Sequence, residues 1–170
     1  MLSPGILRSF MLSLWLVAAA YAQAQNSRGA SAASDFERGN DWLAKGEWDR
    51  AISDYNLAIA FNSGAAAAFY KRGLALPGKG DLASARDDFD RAIALNPRYP
   101  DAYLNRGIVS YEPGEIEAAV GDFNRVFGFN PRDAQAWNNR GRARGEHGDL
   151  VGAIADVDRA AKLDPRKAVV

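Results

Sequence analysis

The 170-residue chain has no cysteine, a single histidine and no excess of charge of either sign, with 21 basic against 21 acidic side chains. Without cysteine there is no disulfide, no thiolate nucleophile, no zinc ribbon and no thiol to carry a lipid anchor. The one histidine, His147, stands in a turn between Glu146 and Asp149. A lone imidazole placed so reads as solvated rather than as a metal ligand or general base. Zero net charge removes the phosphate-attracting field that a nucleic-acid partner requires. No serine, histidine and aspartate arrangement and no phosphate-cradling glycine loop is present. Asp87, Asp88 and Asp90 are close in sequence, but helical phase splits them around their helix. Catalytic residues, metals and cofactors are therefore not expected, nor is an enzyme.

What the chain does have is a period of 34 residues, marked by Arg38-Gly39, Arg72-Gly73, Arg106-Gly107 and Arg140-Gly141. A fixed period without insertions means a stacked array rather than a conventional enzyme domain. The remaining positions keep the same phase. Ala51, Ala85, Ala119 and Ala153 are each followed four residues on by Tyr55, Phe89, Phe123 or Val157. Ala58, Ala92, Val126 and Ala160 come next, then Phe61, Leu95, Phe129 and Leu163. The last three copies close on Asn96-Pro97, Asn130-Pro131 and Asp164-Pro165.

These residues resemble the tetratricopeptide repeat, in which glycine, alanine, aromatic and proline positions recur at fixed offsets. The resemblance covers 32–167 as four units, 32–65, 66–99, 100–133 and 134–167, with a tail at 168–170. It implies an all-α fold, an α-solenoid of four helix-turn-helix repeats whose eight antiparallel helices wind into a right-handed superhelix. Each repeat holds a first helix (A) that carries the Arg-Gly pair and a second (B). The A helices are expected over about 33–45, 67–77, 101–112 and 135–146, with turns at Gly46-Glu47, Gly80-Asp81, Gly114-Glu115 and Gly148-Asp149. Gly39, Gly73, Gly107 and Gly141 lie in mid-helix at about 1 kcal/mol each relative to alanine, so close approach of a neighbouring helix must be the reason for them. Trp42, Trp48 and Trp137 fall where aromatics pack.

A charge pattern repeats too. Arg38, Arg72, Arg106 and Arg140 precede Asp54, Asp88, Asp122 and Asp156 by one constant spacing. This predicts an Arg to Asp contact between the A and B helices of each repeat, the alternative being two solvated faces that share a phase. Pro77 should end or kink its helix about a turn early, and Pro113 should do so more gently.

The first 22 residues read differently. Arg8, the apolar run from Phe10 to Ala20 and Ala20-Tyr21-Ala22 fit a removable signal peptide over 1–22, with 23–31 as a flexible leader. This predicts a bacterial periplasmic or secreted protein without a membrane span after cleavage, an uncleaved N-terminal anchor being the alternative.

In the family, A-helix side chains line a concave groove that holds a peptide or helix. Carried over, the groove positions are Phe36, Glu37, Asn40, Tyr70, Lys71, Leu74, Asn105, Ile108, Asn138, Asn139 and Arg142, with Leu104 between them. The dicarboxylate clamp of heat-shock co-chaperones is absent: Asn40 matches it, but Phe36, Lys71, Asp101 and Asn105 stand at its other places. The expected function is a protein or peptide adaptor without nucleic-acid partners. The alternative is a structural module that forms a homodimer through its C-terminal repeat, where Val157, Ala160, Ala161 and Val169-Val170 offer apolar surface.

Overall fold

The computed structural model describes residues 4–111 and 114–165, with side chains from Leu14 onward. Among the described residues the elements are α1 (Pro4–Ala44), α2 (Trp48–Phe61), α3 (Ala66–Ala75), a 3-10 segment (Leu76–Lys79), α4 (Leu82–Leu95), α5 (Pro100–Tyr111), α6 (Ile116–Phe129), α7 (Ala134–Glu146) and α8 (Leu150–Leu163). Helices pair within repeats as α1/α2, α3/α4, α5/α6 and α7/α8, and each B helix packs on the next A helix. This is the all-α solenoid of four units expected from the period.

Local chemistry sets the ends. Gly46, Gly80, Gly114 and Gly148 take φ of 73°, 77°, 86° and 91°, the left-handed region in which a Cβ is strained. The acid after each glycine splits into two kinds. Asp81 and Asp149 cap their helices, accepting from Ser84 N–H at 3.0 Å and Gly152 N–H at 2.9 Å. Glu47 and Glu115, one methylene longer, make no capping bond. The Ser84 backbone bond holds the Asp81 carboxyl below its ordinary range. At the other end, Asn62, Asn96 and Asn130 accept from the backbone N–H two residues on and turn the chain into the next repeat.

The mid-helix glycines have a specific occupant. A Cβ on Gly39, Gly73 or Gly107 would sit 2.7, 2.7 or 2.8 Å from a ring carbon of Tyr55, Phe89 or Phe123, and one on Gly141 would sit 2.9 Å from Val157. In the first three repeats the aromatic of the same repeat presses on the glycine, and in the fourth Val157 takes that place. Tyr55, Phe89 and Phe123 are consequently buried in three successive cores.

Every expected Arg to Asp pair forms, and each is bidentate. Arg38 donates to Asp54 at 2.7 and 2.5 Å, Arg72 to Asp88 at 2.7 and 2.6 Å, Arg106 to Asp122 at 2.8 and 2.6 Å, and Arg140 to Asp156 at 2.7 and 2.7 Å. A third bond, not foreseen from the spacing, reaches back one repeat. Arg72, Arg106 and Arg140 each donate through Nη1 to Asn56, Asp90 and Asn124 on the preceding B helix. Each of these guanidinium groups therefore ties three helices, and together they form a ladder. Hydrogen bonding to the paired aspartate raises the pKa of Arg72 and Arg106 above the ordinary arginine value. Their charge, and its share of stability, is fully present below the unfolded arginine pKa and is lost only at more alkaline pH.

Three expectations need correction. The stretch 23–31, expected as a flexible leader, lies inside α1, which starts at Pro4 rather than near 33. Proline suits a first helical turn, and the alanine-rich sequence up to Ala44 contains no further proline to stop the helix. Ala160 is fully buried, so it does not contribute to an exposed C-terminal face. Asn138, expected in the groove, is buried at 9 % exposure. It lies in the register of Leu104, whose side chain packs inward, and its amide oxygen has no hydrogen-bond partner. Pro113 and the 168–170 tail with Val169 and Val170 lie outside the described residues.

Two outcomes follow for stability. Gly107→Leu should overpack against Phe123 and cost about 1–3 kcal/mol, read as a lowered melting temperature. A double-mutant cycle of Arg106→Ala and Asp122→Ala should return a coupling energy of about 1–3 kcal/mol; a coupling near zero contradicts the ladder.

Candidate functional site

The A helices of repeats 2 and 3 border a concavity. Pro77 shapes it: without an N–H it cannot continue the α-helical pattern, so α3 stops at Ala75 and the chain passes into the 3-10 segment. That break, expected at this proline, has a packing role. A Cβ on Gly78 would fall 2.4 Å from the Trp48 indole, so the segment fits against the tryptophan only because residue 78 is glycine. Lys79 pairs with Asp49 across the same joint.

The early end of α3 leaves a cavity of about 520 Å³, lined by Leu74, Pro77, Leu82, Phe89, Ile108 and Val109, with Asn105 supplying its polar side chain. Asn105 is held in place, its amide donating to the Asp101 carbonyl at 2.8 Å and to the Tyr70 hydroxyl at 3.3 Å. Its side-chain oxygen remains available as an acceptor beside an apolar wall. Tyr70 packs against Phe89 and Tyr99 at ring-centroid distances of 5.9 and 4.8 Å. Burial pushes its phenol up to about 12. Such a site suits an apolar side chain of a partner with one backbone hydrogen bond beside it.

The remaining groove positions disperse around this centre. Toward the N-terminus, Phe36 and Glu37 line a second cavity of about 320 Å³ with Ala58, Phe61 and Ala68. Asn40 accepts from the Tyr55 hydroxyl at 3.0 Å, which gives it a role in joining helices. Lys71 and Asn139 are half-buried, and Arg142 is exposed with its guanidinium over the Tyr111 ring at 5.3 Å. Leu74, Asn105 and Ile108 are thus the groove residues the fold brings together. The widening at Pro77 was legible as a helix break but not as a cavity, because its depth depends on Leu82 and Val109 from other helices. His147 approaches Glu117 at 3.5 Å, and among the described residues no group of side chains has metal-holding geometry.

Comparisons with known proteins agree with this architecture. A family model described as tetratricopeptide repeat matches 36–93 and 114–168, and one described as TPR repeat matches 78–114. Comparison with curated protein sequences gives no match. Among solved structures, one of MamA is 23% identical with a TM-score of 0.77, covering 99% of this chain and 98% of that one. The first TPR of Spaghetti (RPAP3), bound to the HSP90 peptide SRMEEVD, is 26% identical with a TM-score of 0.69, covering 71% and 95%. The second TPR domain of human RPAP3, in complex with the HSP70 peptide SGPTIEEVD, is 26% identical with a TM-score of 0.65, covering 71% and 98%.

The tyrosine carries a pH-dependent outcome. A phenol raised by burial contributes stability fully present below its unfolded pKa near 10.0 and lost as pH rises through about 12. Alkaline titration followed by tyrosinate absorbance should show a late transition that the Tyr70→Phe variant loses in part, with Tyr55, Tyr99 and Tyr111, whose phenols are also raised, contributing the rest.

Proposed function

The chain belongs to the tetratricopeptide repeat family, and we propose that it is a non-catalytic, exported adaptor that holds a segment of a partner protein on its A-helix groove. The observation that carries this is the preformed cavity at Leu74, Ile108 and Pro77 with the anchored amide of Asn105 at its edge. A groove already shaped needs little ordering on binding, so apolar contact converts to affinity with small entropic loss. RPAP3 repeats supply the precedent of a peptide partner. The peptide chemistry here differs: the dicarboxylate clamp is missing, and Phe36, Tyr70, Leu74 and Ile108 give the groove an apolar and aromatic character. An uncharged anchor side chain from an extended segment or helix is the expected ligand.

Export is read from 1–22, and with it a periplasmic or secreted site in a bacterium and a role in assembling or localising envelope proteins. The cleavage point after Ala22 falls within α1, so cleavage would leave a helix beginning near Gln23. Among the described residues no helix is long and apolar enough to cross a membrane.

The groove is tested by a photocrosslinking residue placed at Ile108, with one at the exposed Arg91 of α4 as control. A discrete adduct at position 108 that disappears when Phe36, Tyr70 and Asn105 are changed to alanine is expected; equal adducts at both positions refute the groove. Export is tested by the mass of protein recovered from the host, which should begin at Gln23; an intact Met1 contradicts cleavage.

A further inference from the structure

Away from the groove, α8 carries an exposed apolar face at Leu150, Val151 and Ile154. The ladder has a fixed register: Arg72, Arg106 and Arg140 donate to Asn56, Asp90 and Asn124, each two residues past the preceding repeat's paired aspartate. Asp158 occupies that register on α8. It is exposed and, among the described residues, has no hydrogen-bond or ion-pair partner. It is an acceptor built like the other three and left open.

The apolar part of the joint is open as well. Leu150 and Ile154 are both 64 % exposed, whereas their counterparts Ile116 and Val120 are half-buried against the core that α7 completes. Val151 is 82 % exposed at a position filled by Asp49, Ala83 and Glu117 in the other repeats. The face therefore extends its apolar area where the rest of the array has polar or small residues.

The joints inside the molecule state what fits. Helices α3, α5 and α7 each offer alanine (Ala68, Ala102, Ala136), an aromatic next to it (Phe69, Tyr103, Trp137), the ladder arginine three residues later and a small residue three beyond that. A second copy's α1 does not fit, because it has Ser34, Asp35 and Asp41 at the first, second and last of these places. Docked head to tail, Arg38 would stand at the ladder place facing Asp158, but it is already shared between Asp35 and Asp54, and Asp41, at the place of the buried Ala75, Val109 and Ala143, would be pressed on the apolar face without a partner. We infer that the α8 face docks an amphipathic helix of a partner protein bearing the sequence alanine, aromatic, two residues, arginine, two residues, small residue, with its arginine on Asp158. This surface is independent of the groove.

The probe is a synthetic peptide of residues 100–111, held helical by a lactam from Asp101 to a lysine replacing Asn105, positions that point away from the ladder face. Fluorescence anisotropy against the full chain should show saturable binding, at least tenfold weaker for Ile154→Glu. Asp158→Arg should abolish binding of this peptide and restore it for a peptide carrying Arg106→Asp. Both substitutions are at exposed sites, and unchanged melting temperatures verify the fold. No binding by a peptide that circular dichroism shows to be helical overturns the inference, as does binding indifferent to the charge swap or blocked by Ile108→Arg in the groove. Light scattering of the chain alone that shows dimers dissolved by Ile154→Glu also overturns it, giving the face to a second copy. Loss of the groove adduct would leave these results untouched.

Discussion

The arginine ladder is the constraint on which the rest of this structure depends. Helices A and B of one repeat could pack in many rotations, since a seam of alanine and aromatic residues is smooth. A bidentate guanidinium to carboxylate bond accepts a narrow range of angles, and the third bond to the preceding B helix sets the step between repeats. Apolar burial drives the stacking, while the ladder selects which stack forms. Arg72 and Arg106 are half-buried and retain enough solvent contact to limit the desolvation cost that makes deeply buried pairs weak, whereas the Arg140 pair is buried.

Glycine and aromatic side chains carry out the complementary task. A ring at Tyr55, Phe89 or Phe123 occupies the volume a Cβ would need on the facing helix, so that helices approach without a void. Both devices repeat with the period, and neither can vary to suit a ligand. Function must therefore reside in residues that depart from the repeat. Pro77 and Gly78 shorten α3 and open the cavity at Leu74 and Ile108. Asp35 and Asp41 make the first face polar, whereas Leu150, Val151 and Ile154 leave the last one apolar.

What the sequence discloses follows this division. The period, the helix pairs, the glycine turns and the four Arg to Asp contacts could be read because each depends on spacing within one repeat. The third ladder bond crosses between repeats, and its signal in the sequence is the shared phase of Asn56, Asp90, Asn124 and Asp158, all polar acceptors. Burial of Asn138 is not legible in the family's groove register, which does not say how far α7 turns that residue inward. The cavity was missed because three helices form it. The continuation of α1 through 23–31 was missed because serine, glutamine and alanine suit a flexible leader in composition yet also allow a helix when proline is absent.

If the ladder fixes the array, its guanidinium groups are immobile in solution. The direct measurement is side-chain NMR of the arginines. Arg72, Arg106 and Arg140 should show slowly exchanging Nε–H protons and separate Nη signals, which report hindered rotation about Cζ–Nη, while exposed Arg91, Arg125 and Arg159 show averaged ones. Averaged signals and fast exchange at all six would contradict the account, because the repeats would then be held by apolar packing alone.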